Sequence, residues 1–166
     1  MALREGELAP DFTLGGVPDG SYHLGSQRGK VVVLAFYPGD FTPVCLRQLK
    51  HYEDQREKLE RTGAVLWGIS TDTLESHERM AKAYALAFPL LADPEGAVAE
   101  RYDTRGLLGS AKRALFIVDG AGAVRYRRDE LLGLSYRSVD DILQALRNSG
   151  LLVGDRVEPG PANRAT

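Results

Sequence analysis

The chain of 166 residues has only one cysteine, Cys45, and it lacks both a long apolar run and a strong net charge. A single thiol cannot close an internal disulfide, which excludes a disulfide-stapled fold and favours a reducing compartment. The 21 basic and 23 acidic residues give a formal net charge of -2, so no basic footprint for nucleic acid is visible. No segment has the apolar length of a transmembrane helix, and residues 1–12 lack a secretory signal pattern. We therefore expect a cytoplasmic protein without nucleic-acid or membrane partners, although the mature form of an exported protein would have the same features.

The composition is that of an ordinary globular protein, with 43% apolar and 27% charged residues. This length suits one domain with a real core, which we place at residues 1–153. Residues 154–166 contain two prolines and scattered charge, so we expect them to form a mobile C-terminal tail.

Apolar runs and helix-like segments alternate along the chain. Residues 31–37, "VVVLAFY", form a continuous apolar run typical of a strand that is covered on both faces. Residues 44–62 are rich in helix formers and end before Gly63, and a second apolar run follows at 64–71. Strand, helix and strand form a βαβ unit, for which we expect a right-handed crossover.

Further elements are predicted on either side of this unit. They are a hairpin at 14–24, a helix from a capping box at Asp72 and Glu75 to about 87, a short strand at 88–93, a short helix opened by Pro94, a hairpin at 114–128, and an amphipathic helix closed by Gly150. The sequence therefore predicts an α/β fold whose mixed sheet has helices on both faces.

The stretch "PGDFTPVC" lies between the first apolar run and the long helix. Pro43 suits the first helical position and Thr42 the N-cap, so Cys45 falls on the third helical position. The partial positive charge of a helix N-terminus stabilises a thiolate, and the carboxyl edge of an open α/β sheet is where ligand crevices form. A buried inert cysteine and a plain N-cap threonine stay open as readings of this pattern alone.

Five segments resemble the peroxiredoxin family, and its bacterioferritin comigratory protein or peroxiredoxin Q branch in particular. They appear in the family's order as "ELAPDFTL", "VLAFYPGDFTPVC", "GISTD", "FPLLAD" and "RALFIVD", over residues 7 to about 147. The motif Pro-x-x-x-Thr-x-x-Cys of the family matches Pro38, Thr42 and Cys45.

The resemblance implies a thioredoxin-like fold and a thiol-dependent peroxidase that reduces hydrogen peroxide and organic hydroperoxides. Cys45 would be the peroxidatic nucleophile, and Thr42 and Arg113 would stabilise the reacting oxygens. Pro38 would shield the sulfur from water. Without the motif, Arg113 reads equally as a surface ion pair, and the adjacent Lys112 is an alternative cation.

The resemblance implies neither a cofactor nor a metal. His23, His51 and His77 are scattered without metal-ligand spacing, and we expect His51 and His77 to be solvated.

Two positions depart from the family pattern. Lys50 stands where many relatives carry a resolving cysteine, and Gln48 stands where many carry a glutamate. We therefore expect a one-cysteine mechanism with an external thiol reductant, which could be thioredoxin, glutaredoxin or a small thiol. The protein would be a monomer or a homodimer.

Two other functions compete with the peroxidase. The first is a thioredoxin-fold binding or chaperone-like module in which the cysteine is inert. The second is a thiol–disulfide oxidoreductase, which the absence of a Cys-x-x-Cys pair disfavours.

Overall fold

The computed structural model of the protein describes residues 3–18, 20–130 and 134–158. The elements in chain order are β1 (Thr13–Val17), β2 (Gly20–His23), a 3-10 turn (Leu24–Gln27), β3 (Val32–Phe36), α1 (Pro43–Asp54), α2 (Arg56–Glu60), β4 (Val65–Ser70), α3 (Leu74–Tyr84), β5 (Leu90–Ala92), α4 (Ala97–Arg101), β6 (Ala114–Val118), β7 (Val124–Asp129), α5 (Val139–Asn148), β8 (Leu152–Val153) and β9 (Arg156–Val157). Within those ranges, no helix combines the length and the apolarity that crossing a membrane requires.

Seven strands form one mixed sheet in the order β2-β1-β5-β4-β3-β6-β7. The three central strands β5, β4 and β3 run parallel, whereas β6 pairs with β3 antiparallel. Because Phe36 lies opposite Ala114 in that antiparallel pair, the start of β6 meets the carboxyl end of β3. The expected mixed sheet with flanking helices is confirmed. The register brings the carboxyl end of β3 and the start of β6 to the same edge of the sheet, and the candidate site lies at that edge.

The central strand β3 is buried along its whole length, as its continuous apolar run predicts. Val33 and Ala35 pack into one cluster with apolar residues of α1, α2, α3 and α5. Leu34 and Phe36 pack on the other face with α4 and the aromatic rings of Phe12, Trp67 and Tyr102. Helices therefore cover both faces.

The helix expected over 44–62 is interrupted. Gln55 leaves the helical conformation with φ -102° and ψ 7°, so α1 ends at Asp54 and α2 begins at Arg56. Gly63 then adopts a positive φ of 91°, which glycine accommodates without the steric penalty of a side chain.

Two helix starts differ from the expectation. The N-cap of α3 is Thr73, whose side chain accepts a hydrogen bond from Ser76 N, and not Asp72. Helix α4 begins at Ala97, after an N-cap glycine, and not at Pro94. Its first amides are satisfied instead by the buried carboxylate of Asp93, which accepts from Val98 N and Ala99 N.

The C-terminal segment contains a two-stranded hairpin of β8 and β9. Val157 N donates to Thr62 O at 2.8 Å, which ties the hairpin to the end of the α2 region. The hairpin crosses the boundary expected between Val153 and Gly154, and the division of the chain there stays a prediction. The mobility expected for residues 154–166 stays a prediction, and residues 159–166 lie outside the described residues.

Candidate active site

The turn between β3 and α1 places Cys45 at a helix head. Thr42 is the N-cap with an extended backbone, Pro43 opens the helix, and Leu46 N closes the first helical hydrogen bond on Thr42 O at 2.8 Å. The Thr42 hydroxyl does not cap α1 but donates to Gly39 O at 2.9 Å. The hydroxyl oxygen of Thr42 can still accept a hydrogen bond. The Thr42 side chain accepts no hydrogen bond from the backbone N–H groups in the first turn of α1 around Cys45.

The sulfur of Cys45 lies beneath this turn against a guanidinium. The cysteine is only 1% exposed, and Arg113 Nη2 lies 3.3 Å from its Sγ. Arg113 precedes β6 directly and is itself buried, because the register of β3 and β6 brings it to the carboxyl end of β3. Lys112 is exposed, and its amide donates to Thr104 O. The structure therefore brings Arg113, and not Lys112, to the thiol.

A buried polar chain holds the guanidinium in place. Arg113 Nη1 donates to Gln48 Oε1, and Gln48 Nε2 donates to Tyr52 Oη at 2.9 Å. Tyr52 in turn donates to the backbone oxygen of Arg137 at 3.1 Å. Burial raises the pKa of Tyr52, which keeps the hydroxyl protonated as a donor. The chain links the site to the segment before α5 without adding a negative charge beside Arg113.

Comparison with known proteins decides the family. The model of the AhpC/TSA family matches residues 6–127, a range that holds the turn, Cys45 and Arg113.

The chain belongs to the AhpC/TSA family.

Named relatives agree with this assignment. The chain is 37% identical over 126 residues to "Peroxiredoxin Q, chloroplastic" of Triticum aestivum, a match that covers 75% of this chain and 58% of the wheat protein. It is 33% identical over 129 residues to "Peroxiredoxin Bcp" of Bacillus subtilis, covering 74% of this chain and 82% of that protein. The crystal structure of peroxidoxin BcpB from Mycobacterium tuberculosis superposes with a TM-score of 0.78 at 28% identity, covering 92% and 99% of the two chains. The expected peroxiredoxin resemblance and thioredoxin-like fold are confirmed.

Two further positions of the family pattern lie on the turn and on α1. Pro38 is half-buried at the start of the turn, and the shielding role expected for it stays a prediction. Lys50 is exposed on the first helix, with Nζ 5.8 Å from the centroid of the Tyr84 ring. The same ring contacts Phe41 at a centroid distance of 6.3 Å. The position at which the family resemblance places a resolving cysteine therefore carries a cation next to a surface aromatic ring.

A second polar cluster lies behind the turn, and sequence reasoning missed it. His77 is fully buried, so the expectation of a solvated histidine is wrong. Its Nδ1 lies 2.8 Å from Asp40 Oδ2, and its Nε2 lies 3.0 Å from Leu91 O. A signal existed in the spacing, because His77 shares one face of α3 with Leu74 and Ala81, three and four residues away.

Proposed function

We propose that this peroxiredoxin reduces hydrogen peroxide and organic hydroperoxides with Cys45 as the nucleophile, by a one-cysteine mechanism. The observation that carries the proposal is the 3.3 Å contact between Arg113 Nη2 and Cys45 Sγ at the head of α1. A cation and a helix N-terminus both favour the thiolate, which is the reactive form of cysteine.

In the first step the thiolate attacks the terminal oxygen of the hydroperoxide. The sulfur–oxygen bond forms as the oxygen–oxygen bond breaks, and the leaving oxygen takes a proton to become an alcohol or water. Negative charge develops on that leaving oxygen, so fixed donors lower the barrier. Arg113 and the first-turn amides of α1 supply donors, and the Thr42 hydroxyl supplies an acceptor for the peroxide proton. Cys45 becomes a sulfenic acid.

In the second step an external thiol restores the cysteine. One thiol attacks the sulfenic acid, giving a mixed disulfide and water, and a second thiol releases Cys45 with formation of the reductant's disulfide. Since Cys45 is only 1% exposed, a peroxide reaches the sulfur more easily than a protein thiol does. We propose that a protein reductant needs the first turn of α1 to open.

The need for an external reductant follows from the missing second cysteine. Thioredoxin, glutaredoxin or a small thiol each supplies the two electrons that this chain cannot store as a disulfide. We propose a cytoplasmic enzyme, because a lone thiol stays reduced there, working as a monomer or a homodimer. Light scattering on the reduced protein distinguishes these two states.

A binding module with an inert cysteine is the second function considered. It leaves a buried guanidinium at the sulfur without a purpose, since a structural cysteine behaves as a small apolar side chain. In a peroxidase the same contact stabilises the thiolate and the negative charge that develops on the leaving oxygen.

The test is to trap the first product. Reduced protein is mixed with one equivalent of hydrogen peroxide and a sulfenic-acid reagent, and the adduct is located by mass spectrometry. We expect rapid labelling of Cys45, with none in the Cys45→Ser control. Labelling no faster than that of free cysteine would overturn the proposal.

A further inference from the structure

The active-site turn is fastened to α3 by one buried carboxylate. Asp40, in the middle of the turn, accepts hydrogen bonds from Tyr37 Oη at 2.8 Å, from Ser76 Oγ at 2.8 Å and from His77 Nδ1 at 2.8 Å. Its own amide donates to Asp72 Oδ2 at 2.8 Å. We call these five residues, Tyr37, Asp40, Asp72, Ser76 and His77, the turn anchor.

Each ring nitrogen of His77 faces a hydrogen-bond acceptor. Leu91 O only accepts hydrogen bonds, so Nε2 carries a proton. An ionised Asp40 also only accepts, so the nitrogen that faces it, Nδ1, is the donor in that hydrogen bond. Burial acts to raise the pKa of Asp40, but hydrogen bonds and charge from His77, with further hydrogen bonds from Ser76 and Tyr37, hold it below its ordinary value. His77 therefore joins the turn to a strand of the sheet through two buried hydrogen bonds.

The same cluster has the residue types of a metal site, since ligand atoms of Asp40, Asp72 and His77 lie within 4.8 Å of one another. Those atoms are already engaged. Asp40 accepts from three side chains, and Asp72 accepts from Asp40 N and from Ser70 Oγ. A cation would have to displace these donors, so the contacts suit a hydrogen-bonded clamp and not a metal centre.

The anchor lies close to the reacting groups along the chain. Asp40 precedes Thr42 by two residues and Cys45 by five. Two other contacts of the turn are the hydrogen bond of the Thr42 hydroxyl to Gly39 O, which stays within the turn, and the contact of the exposed Phe41 ring with Tyr84. A shift of the Asp40 carboxylate would therefore move the N-cap and the head of α1.

We propose that His77 is a positioning residue for the peroxidase reaction, acting through Asp40 to hold Thr42 and Cys45 in their reactive geometry. This inference rests on the proposed function, since it concerns the same reaction. Misplacing a catalytic group by about 1 Å costs about 100-fold in rate, which sets the scale of the effect.

Two variants separate the two bonds of the ring. In His77→Asn the amide nitrogen replaces Nδ1, so the donor to Asp40 is kept and the bond to Leu91 O is lost. In His77→Gln the amide nitrogen replaces Nε2, so the bond to Leu91 O is kept and the turn loses its donor. Both changes replace the ring by a smaller, neutral amide, which makes each the control for the other.

The readouts are the second-order rate constant with hydrogen peroxide, the fraction of Cys45 present as thiolate at neutral pH, and the urea midpoint. We expect His77→Gln to lower the rate constant by about tenfold to 100-fold and to lower the thiolate fraction. His77→Asn should keep most of the parent's rate constant at a similar urea midpoint. A purely structural role would shift the urea midpoints and leave both kinetic readouts alike.

Further controls cover the other outcomes. Asp119→Asn disturbs a buried carboxylate that accepts from Ala121 N and Ala123 N at the opposite edge of the sheet, and should change stability without changing the rate constant. If both His77 variants fail to fold, Tyr37→Phe and Ser76→Ala each remove one donor from Asp40 and should slow the reaction. Equal rate constants in the two His77 variants, or unchanged ones in this second pair, would overturn the inference. A parent protein that ignores peroxide would instead refute the proposed function.

Discussion

Replacing Arg113 by methionine removes the only charge that the described structure places in contact with the sulfur. The guanidinium Nη2 lies 3.3 Å from Cys45 Sγ, and Coulomb's law at an effective dielectric constant of about 20 gives about 5 kcal/mol for unit charges at that distance. That figure is an upper bound, because the charge of arginine is spread over the guanidinium. Removing one fixed donor from an oxyanion site costs about 3 to 4 kcal/mol, or about 100- to 1000-fold in rate. We expect a loss in this range for the reaction with hydrogen peroxide.

Lys112→Met is the matched control. It makes the same change of charge one residue away, at an exposed side chain, so its rate constant should stay close to that of the parent. The assay is competition for hydrogen peroxide against a peroxidase of known rate constant, with alkylation by iodoacetamide at neutral pH to compare thiolate fractions. The Arg113 variant also leaves Gln48 Oε1 without its donor, so a urea titration checks that it is folded. Equal rate constants for the parent and Arg113→Met, or an equal loss in Lys112→Met, would refute the assigned role.

Three further predictions concern the surroundings of the site. After addition of hydrogen peroxide, Lys50→Cys should form a disulfide with Cys45 only when α1 opens, because five residues of helix rise about 7.5 Å. The new thiol attacks the sulfenic acid of Cys45 and water leaves. Mass spectrometry follows the net loss of two hydrogens, which should accelerate in mild urea, and a rate independent of urea would contradict this. Tyr52→Phe should lower the free energy of unfolding by about 1 to 3 kcal/mol, measured in urea, because Gln48 loses a buried partner; an unchanged value would refute that contact. The pKa of Asp40 is lowered in the folded state, so its contribution to stability is present above the unfolded value of about 4 and is lost as the pH falls further. Asp40→Asn should weaken this acid dependence of the unfolding midpoint, and an unaltered profile would argue against it.

Local patterns predicted the elements that depend on neighbouring residues. The continuous run at 31–37 and the Pro43 start of α1 are decided within a few positions, and both are found in the structure. The contact of Arg113 with Cys45 depends on strand register across 68 residues, which periodicity does not encode. Only the family motif pointed to it.

Two predictions that were wrong are the unbroken helix over 44–62 and the solvated His77. Helix formers continue through Gln55, so nothing in the local sequence marks the end of α1. His77 has polar neighbours along the chain, and its partner Asp40 lies 37 residues away. The apolar spacing on α3 was a signal of its burial, but the tertiary structure pairs buried polar groups, so the pairing with Asp40 could not be predicted from the local sequence.

The contact with Arg113 and the head of α1 are expected to make Cys45 a peroxidatic nucleophile. This is measured by the stopped-flow rate constant of the reduced protein with hydrogen peroxide, compared with that of free cysteine at the same pH. We expect a value about 1000-fold higher or more, as fixed electrostatic donors provide, and no reaction in Cys45→Ser. A rate constant equal to that of free cysteine would refute this role of Cys45.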